Sequence, residues 1–382
     1  MAGIIFSEGS GLNNSIYGKS QEPIRAMIEK NVEAFEQQSQ IKNVFFMDKT
    51  KNFAEKYTQE TSLGNFEDVG ENGAYPKNSM QEGYAKVVEP TTWKNSFEVT
   101  QEMIEDAKFG KIKSRANIFA TSFNRTREEF AANLLAGGVS AKTKIGTREY
   151  ATTSADGVAL FSTAHPSITK GAKNQANAFK APFSNYVLDK VQEYMQGFTD
   201  DDGHLLNVAP DTILIPNAGE LKRAVLAAVG SDLDPESSNN AMNFQAGLWN
   251  VLVWPYLPKT IGGKPYFIMM DSKFKDDYMC LPFLDRVPLT VKSDIDPNTD
   301  ANVFKGRARF MAGFNNWRCI SICGEGVNGT TITAPVTSQN VTVVNTEEKP
   351  VNTKEVGAGG EHKGRATALF ITDKRKRPGR CR

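Results

Sequence analysis

Histidine and cysteine are scarce in this chain, with three of the first and four of the second in 382 residues. The histidines are His165, His204 and His362, and no HExxH, CxxC or CxxH pair occurs, so a transition metal would find no ligand set and no metal residue is assigned. Four cysteines make no disulfide framework, which points to a reducing compartment. Cys319 and Cys323 sit four apart in WRCISICGEG. The flanking Trp317, Ile320 and Ile322 alternate as in a strand, so both thiols share one sheet face as small buried side chains rather than as a ligand pair. No apolar run approaches the roughly 20 residues of a membrane-crossing helix. The start, MAGIIFSEGSG, has no basic region and only a three-residue apolar patch, so no signal peptide is expected. Excess charge is absent too: 45 Lys plus Arg stand against 44 Asp plus Glu, which argues against a chain-wide field for nucleic acid or membrane.

Catalytic signatures are missing as well. There is no GxxxxGK[ST], GxGxxG or GxSxG, and Gly9 and Gly11 flank Ser10 without a preceding strand. The run Asp200-Asp201-Asp202-Gly203 fails as an EF-hand, because Phe198 and Ala209 occupy positions that need acidic residues, and it reads as a polar turn. No catalytic or cofactor-binding residue is assigned, and the chain is expected not to be an enzyme.

What is present is a core. Apolar residues make up 40% of the chain and charged ones 23%, and 23 Phe and 10 Tyr need burial, so a folded protein of two or three domain-sized units is expected. The charge is unevenly placed. Residues 361–382 hold eight basic and two acidic side chains, a surplus of +6 that leaves the rest of the chain at −5.

Residues 1–20 are rich in Gly, Ser and Asn and read as a flexible arm. Across 23–35, Ile24, Met27, Ile28, Val32 and Phe35 form one stripe of a helix with Pro23 in its first turn. That stripe packs either on its own domain or on a neighbouring subunit. Residues 57–92 are polar and Gly-rich and too long for an ordinary loop. Strand-like ends (84–88 and 93–99) and turn chemistry at 71–73 suggest a long extended hairpin, with a disordered loop as the alternative. Its large apolar groups Phe66, Val69, Tyr75 and Met80 need another surface.

A long helix is expected over 113–136, with Phe119, Phe123, Phe130 and Leu134 in one stripe and Gly137-Gly138 at its end. Ser184 is placed as the cap of a helix with Leu188, Val191, Met195 and Phe198 inward. Strands are expected at 212–215, 248–254, 266–270, 286–291 and 308–323. A helix through Val229 is expected to start at a capping-box-like Asn217 with Glu220. Beyond Gly324 the composition turns to Thr, Val, Asn and Gly, read as a linker or tail.

The segment Asp156-Gly157-Val158-Ala159-Leu160-Phe161-Ser162-Thr163-Ala164-His165-Pro166 resembles the "DG..LFS..HP" signature of Mu-like phage major head subunits, with Asn174 or Asn177 as the Asn that follows. Phe97-Glu98-Val99-Thr100 with Met103-Ile104-Glu105-Asp106, then Arg125-Thr126, Asp202-Gly203, Ala209-Pro210, Leu214-Ile215-Pro216 and Asn239 or Asn240 before Gly247-Leu248 are similar in order. The resemblance covers about residues 20–325.

It implies an α+β fold of the Hong Kong 97 type found in tailed-bacteriophage major capsid proteins. Its parts would be an N-terminal arm over 1–50, an extended loop with flanking strands over 51–96, a peripheral domain over 97–207 and 276–325 with its spine helix at 113–136, and an axial domain over 208–275. Residues 326–382 would be a flexible basic tail. The function implied is a structural one: pentamers and hexamers of an icosahedral virion shell around double-stranded DNA, assembled in the host cytoplasm, with no membrane and no cofactor. With fewer than 60 residues before the hairpin, a separate scaffolding protein is expected, besides a portal and decoration proteins.

The expected assembly contacts are Phe66, Val69, Tyr75, Met80, Ile28 and Phe35. An encapsulin-like cargo compartment shares the fold and is the alternative; a hydrolase is the outsider. His165 admits two readings, a pH sensor titrating near neutrality or a residue that fixes the turn before Pro166 through a backbone hydrogen bond. The basic tail either touches DNA non-specifically or is a solvated end.

Overall fold

Helix-period spacing of Phe119, Phe130 and Leu134 produces the longest helix of the chain. In the computed structural model, which describes residues 16–333 apart from 61–64, 72, 78–81, 107, 170–172 and 233–241, this helix, α4, spans Phe109–Ala136, starting four residues before the expected 113. A 3-10 turn at Gly137–Val139 follows it. Phe119, Phe130 and Leu134 are buried, whereas Phe123 is only half-buried.

The buried face of α4 lies on a four-stranded sheet of β1 (Phe46–Lys49), β11 (Pro282–Ile295), β12 (Asn302–Ala312) and β4 (Thr91–Val99), in that order. The β1–β11 pair is parallel and the other two are antiparallel. Aromatic groups fill the layer: Trp93 stacks on Phe310 at 5.1 Å and Phe97 on Phe304 at 4.9 Å, while Phe130 meets Trp93 edge-on at 5.3 Å. Gly306 in β12 makes the approach possible, because a Cβ there would collide with the Phe119 ring.

A second sheet has six strands in the order β14 (Thr330–Thr331), β7 (Ala178–Lys180), β13 (Ile320–Gly324), β10 (Tyr266–Met270), β8 (Thr212–Pro216) and β9 (Asn250–Trp254). The strands β8, β10 and β13 are buried throughout, as near-continuous apolar runs require. Helices α5 (Asn185–Gln196) and α6 (Gly219–Gly230) bury Leu188, Val191, Met195, Leu221, Val225 and Val229 in the same core. The expected axial segment 208–275 supplies only β8, β9, β10 and α6, since β7, β13 and β14 come from either side of it. Cys319 and Cys323 are both fully buried. Burial pushes the Cys323 thiol up to about 12 and raises Cys280 well above its usual range, so these groups are inert.

Helix α1 (Ile16–Gln38) begins well before Pro23, which therefore lies inside the helix rather than in its first turn. Its stripe settles on its own chain. Ile24, Ile28 and Val32 pack with Ile112, Ala116, Phe119 and Ala120, and the small Ala116 and Ala120 let the two helices approach. Ile28 has no exposed surface, which corrects its expected place at a subunit contact; an amphipathic stripe does not reveal whose surface it meets.

Two further expectations shift. Ala218, not Asn217, is the residue before α6, and no side chain caps that helix. The fold also runs past Gly324: Val327 is buried and β14 pairs with β7, so residues 325–333 belong to the sheet. The basic residues of 361–382 lie outside the described residues. Short elements complete the chain: α2 (Ile41–Val44), β2 (Glu55–Glu60), β3 (Glu82–Val88), α3 (Gln101–Glu105), β5 (Lys142–Ile145), β6 (Arg148–Ala151) and α7 (Ser272–Asp277). None of the described helices is long and apolar enough to cross a membrane.

Ser184 caps α5 as its sequence position implies, accepting a hydrogen bond from the Val187 N–H at 3.2 Å. Ser184→Ala is expected to cost about 1 kcal/mol, read as a lowered urea midpoint with an unchanged slope. Ser184→Asp should preserve most of the stability, and equal losses in the two variants would show that the cap is not the cause.

Candidate assembly interface and buried histidine lock

The strands β2 and β3 pair antiparallel from Glu55↔Val88 to Glu60↔Glu82, so the expected long hairpin exists with its root at 55–60 and 82–88. The expected partner strand 93–99 instead joins the four-stranded sheet as part of β4. The root is held by its own chain. Tyr57 Oη donates to Asp48 Oδ2 at 2.6 Å, Gln59 Nε2 to the Asn315 carbonyl at 2.5 Å, and Lys86 Nζ to the Thr153 carbonyl at 2.6 Å. Tyr57 and Val88 also bury against Leu284. Burial lowers the Lys86 ammonium from its usual value, partly offset by the Asp156 carboxylate.

Beyond the root, the described residues 65–71 and 73–77 are all exposed. Phe66 has 106% and Tyr75 94% of its reference surface in solvent, and Val69 is exposed as well; Met80 lies outside the described residues. Beyond a pinned root, then, two full aromatic rings stand in solvent.

Phe35, the remaining expected contact, is exposed at the end of α1 on the wall of a groove of about 870 Å³. The groove runs between the end of α1, α2, β1, the middle of α4, the end of β9 and the start of β11. Arg127 crosses its floor. Its guanidinium pairs with Glu36 at 3.2 Å and Asp285 at 2.8 Å and lies 5.2 Å from the Phe283 ring centroid. Burial raises the Asp285 carboxyl above the usual carboxylate value, against the downward pull of Arg127. Glu128 is also satisfied, accepting from Trp254 Nε1 at 2.6 Å and from Ser39 Oγ at 2.5 Å.

The signature segment forms a different kind of site. His165 is buried and neither ring nitrogen bonds the backbone, which corrects the turn-fixing reading. Nδ1 lies 2.6 Å from Asp156 Oδ2, and Nε2 lies 3.1 Å from Asn177 Oδ1. Asn177, rather than Asn174, is thus the Asn that completes the motif. Its amide orientation is set by its other bonds. Nδ2 donates to the Leu160 carbonyl at 2.8 Å and the Ile320 carbonyl at 3.1 Å, and Oδ1 accepts from the Ser162 N–H at 2.9 Å.

Both imidazole nitrogens therefore face side-chain oxygen atoms. The Trp317 indole stacks on the ring at 4.1 Å. Burial alone would raise the Asp156 carboxyl, but His165, the Ser154 hydroxyl and the Val158 N–H hold it below its usual value. Gly157, at φ +82°, lets the chain turn so that Val158 can reach that carboxylate. Beside this cluster, Arg318 pairs with Asp201 at 3.1 Å, and Asp200 Oδ1 accepts from the Asp202 and His204 N–H groups, so the acidic run is a hydrogen-bonded turn. Sequence spacing, nine residues from Asp156 and twelve to Asn177, carries no sign that three side chains would meet. Among the described residues no group of three or more His, Cys, Asp or Glu side chains could hold a metal ion.

A family model described as phage capsid protein matches residues 83–322. No curated protein matches the chain. Among solved structures, the chain is similar to the capsid of an empty GTA particle, with 12% identity, 74% of this chain and 88% of that chain covered and a TM-score of 0.48. It is also similar to a structure of Mycobacterium phage Patience, at 9% identity, 81% and 89% coverage and a TM-score of 0.46. A virus-like particle from Pyrococcus furiosus is similar at 10% identity, 79% and 98% coverage and a TM-score of 0.44.

Proposed function

The chain belongs to the phage capsid protein family, and from that premise we propose how it builds the virion shell. Copies associate as pentamers and hexamers of an icosahedral capsid around double-stranded DNA, and each hairpin lies on a neighbouring copy. The observation that carries this reading is the pair of exposed aromatic rings, Phe66 and Tyr75, held out on a root that its own chain pins. A monomer gains nothing from such a loop, whereas a closed array repeats its small contact at every subunit.

The parts follow the Hong Kong 97 arrangement in order: arm helix, hairpin, long helix, then two sheets. In this reading α4 with the four-stranded sheet forms the peripheral domain. The six-stranded sheet with α5 and α6 forms the axial domain, with boundaries wider than 208–275. In motif the chain resembles the Mu-like head subunits. A separate scaffolding protein, a portal and decoration proteins are the partners that such a shell uses, and assembly takes place in the host cytoplasm. Its role is that of a structural protein, and family membership favours a DNA-filled head over an encapsulin-like compartment.

Negative-stain and cryo-electron microscopy of the purified full-length chain, alone and co-expressed with its scaffolding partner, tests the reading. Closed shells with five- and six-fold clusters are expected. Only monomers or open sheets under both conditions would overturn it.

A further inference from the structure

The groove beside Arg127 holds three carboxylates, Glu36, Asp285 and Glu128, and each already has a partner in its own chain. Its walls present Lys49, Lys51 and Arg286, and among the described residues none of the three has a carboxylate within salt-bridge distance. Glu36 and Asp285 are already taken by Arg127. Two buried donor atoms, Asn124 Nδ2 and Arg286 Nη1, have no hydrogen-bond partner among the described residues. Phe35 and Met47 add exposed apolar surface to the same walls. The chemistry that fits is therefore an extended peptide carrying carboxylates and an aromatic ring.

The hairpin tip has that composition. Residues 65–71 read Asn-Phe-Glu-Asp-Val-Gly-Glu, which sets three carboxylates beside Phe66 and Val69 with no basic residue among them. Every one of these residues is exposed, so the tip does not occupy the groove of its own chain. We propose that the groove is the seat of residues 66–71 of a second copy, with Glu67 and Asp68 against Lys49, Lys51 and Arg286, and Phe66 against Phe35 and Met47. This rests on the reading that the hairpin lies on a neighbour, and it names the surface that receives it. Charge complementarity selects the register, while the aromatic contact supplies buried area.

Charge reversal on each side, then on both, tests the pairing. Lys49→Glu with Lys51→Glu, and separately Glu67→Lys with Asp68→Lys, change only exposed side chains, so circular dichroism and melting should match the unaltered protein. Each reversal alone is expected to cut the yield of sedimenting closed shells about tenfold or more, because the contact repeats around the shell. All four substitutions together should restore it. Normal shells from either reversal alone, or failure of the combination to assemble better than the two halves, would overturn the pairing. Removal of the hairpin tip is the separate test of the broader reading: loss of shells there together with failed restoration here would place the tip on a neighbour at some other surface.

Discussion

Removal of residues 65–77 is expected to abolish shell formation while leaving the melting temperature of the unassembled subunit unchanged. The two halves of this expectation have different physical origins. Stability is indifferent because every described residue in that stretch is exposed and the root, where Tyr57 and Val88 bury, stays in place. Assembly is sensitive because Phe66 and Tyr75 are the most exposed large apolar groups among the described residues. Covering an aromatic ring removes on the order of 150 Å² from water, worth a few kcal/mol before the cost of association is subtracted. Losing that at every repeated contact leaves a closed shell without its driving force. The measurement is a thermal melt beside sedimentation and microscopy of the same preparation, with a short Gly-Ser bridge joining the cut ends. Shells of normal yield would rule out an intersubunit role for the hairpin, and a lowered melting temperature would show that the tip packs on its own chain.

The second large effect is expected at the buried histidine. His165→Ala removes the partner of a buried carboxylate and leaves Asp156 without its contact to Nδ1 and Asn177 Oδ1 without its contact to Nε2. Breaking a buried pair in this way costs about 3–5 kcal/mol. His165→Gln should recover only part of that, since one amide cannot donate along both ring directions. The acid side gives an independent check. The folded Asp156 carboxyl lies below its ordinary value, so its contribution is complete above about pH 4, the usual aspartate range, and is lost as pH falls through the lower folded value. Asp156→Asn should therefore be less stable at pH 7 and lose less on acidification below pH 4. A histidine variant as stable as the unaltered chain, or an acid profile that the Asn variant leaves untouched, would mean that the cluster is packing alone.

Local features were legible in the sequence because they depend on near neighbours. The period of Phe119, Phe130 and Leu134 located α4, Ser184 located the start of α5, and the apolar run 266–270 is β10 residue for residue. What depended on distant partners was not legible. β7 is three residues long and finds its partner β13 some 140 residues later, so no pattern within either segment reveals the parallel pairing. The α1 stripe showed that Ile28 is buried but not that α4 buries it. Asn217 carried a suitable side chain one position too early to cap α6. Asp156, His165 and Asn177 were all visible in the motif, yet their meeting depends on the positive φ of Gly157 and on the return of the chain at Trp317 and Ile320. The groove drew on six separated elements and had no sequence signal beyond Phe35.

β13 is the next-to-last described strand in sequence, yet it stands inside the six-stranded sheet between β7 and β10. Until residues 320–324 have been synthesised, β7 and β10 present open edges and Asn177 lacks the Ile320 carbonyl that it holds. β7 and β10, the strands on either side of β13, are joined only through these five residues. A polypeptide broken off before residue 320 lacks the strand that joins β7 to β10, so its sheet stays unfinished and its shape departs from that of the copies that symmetry requires to match it.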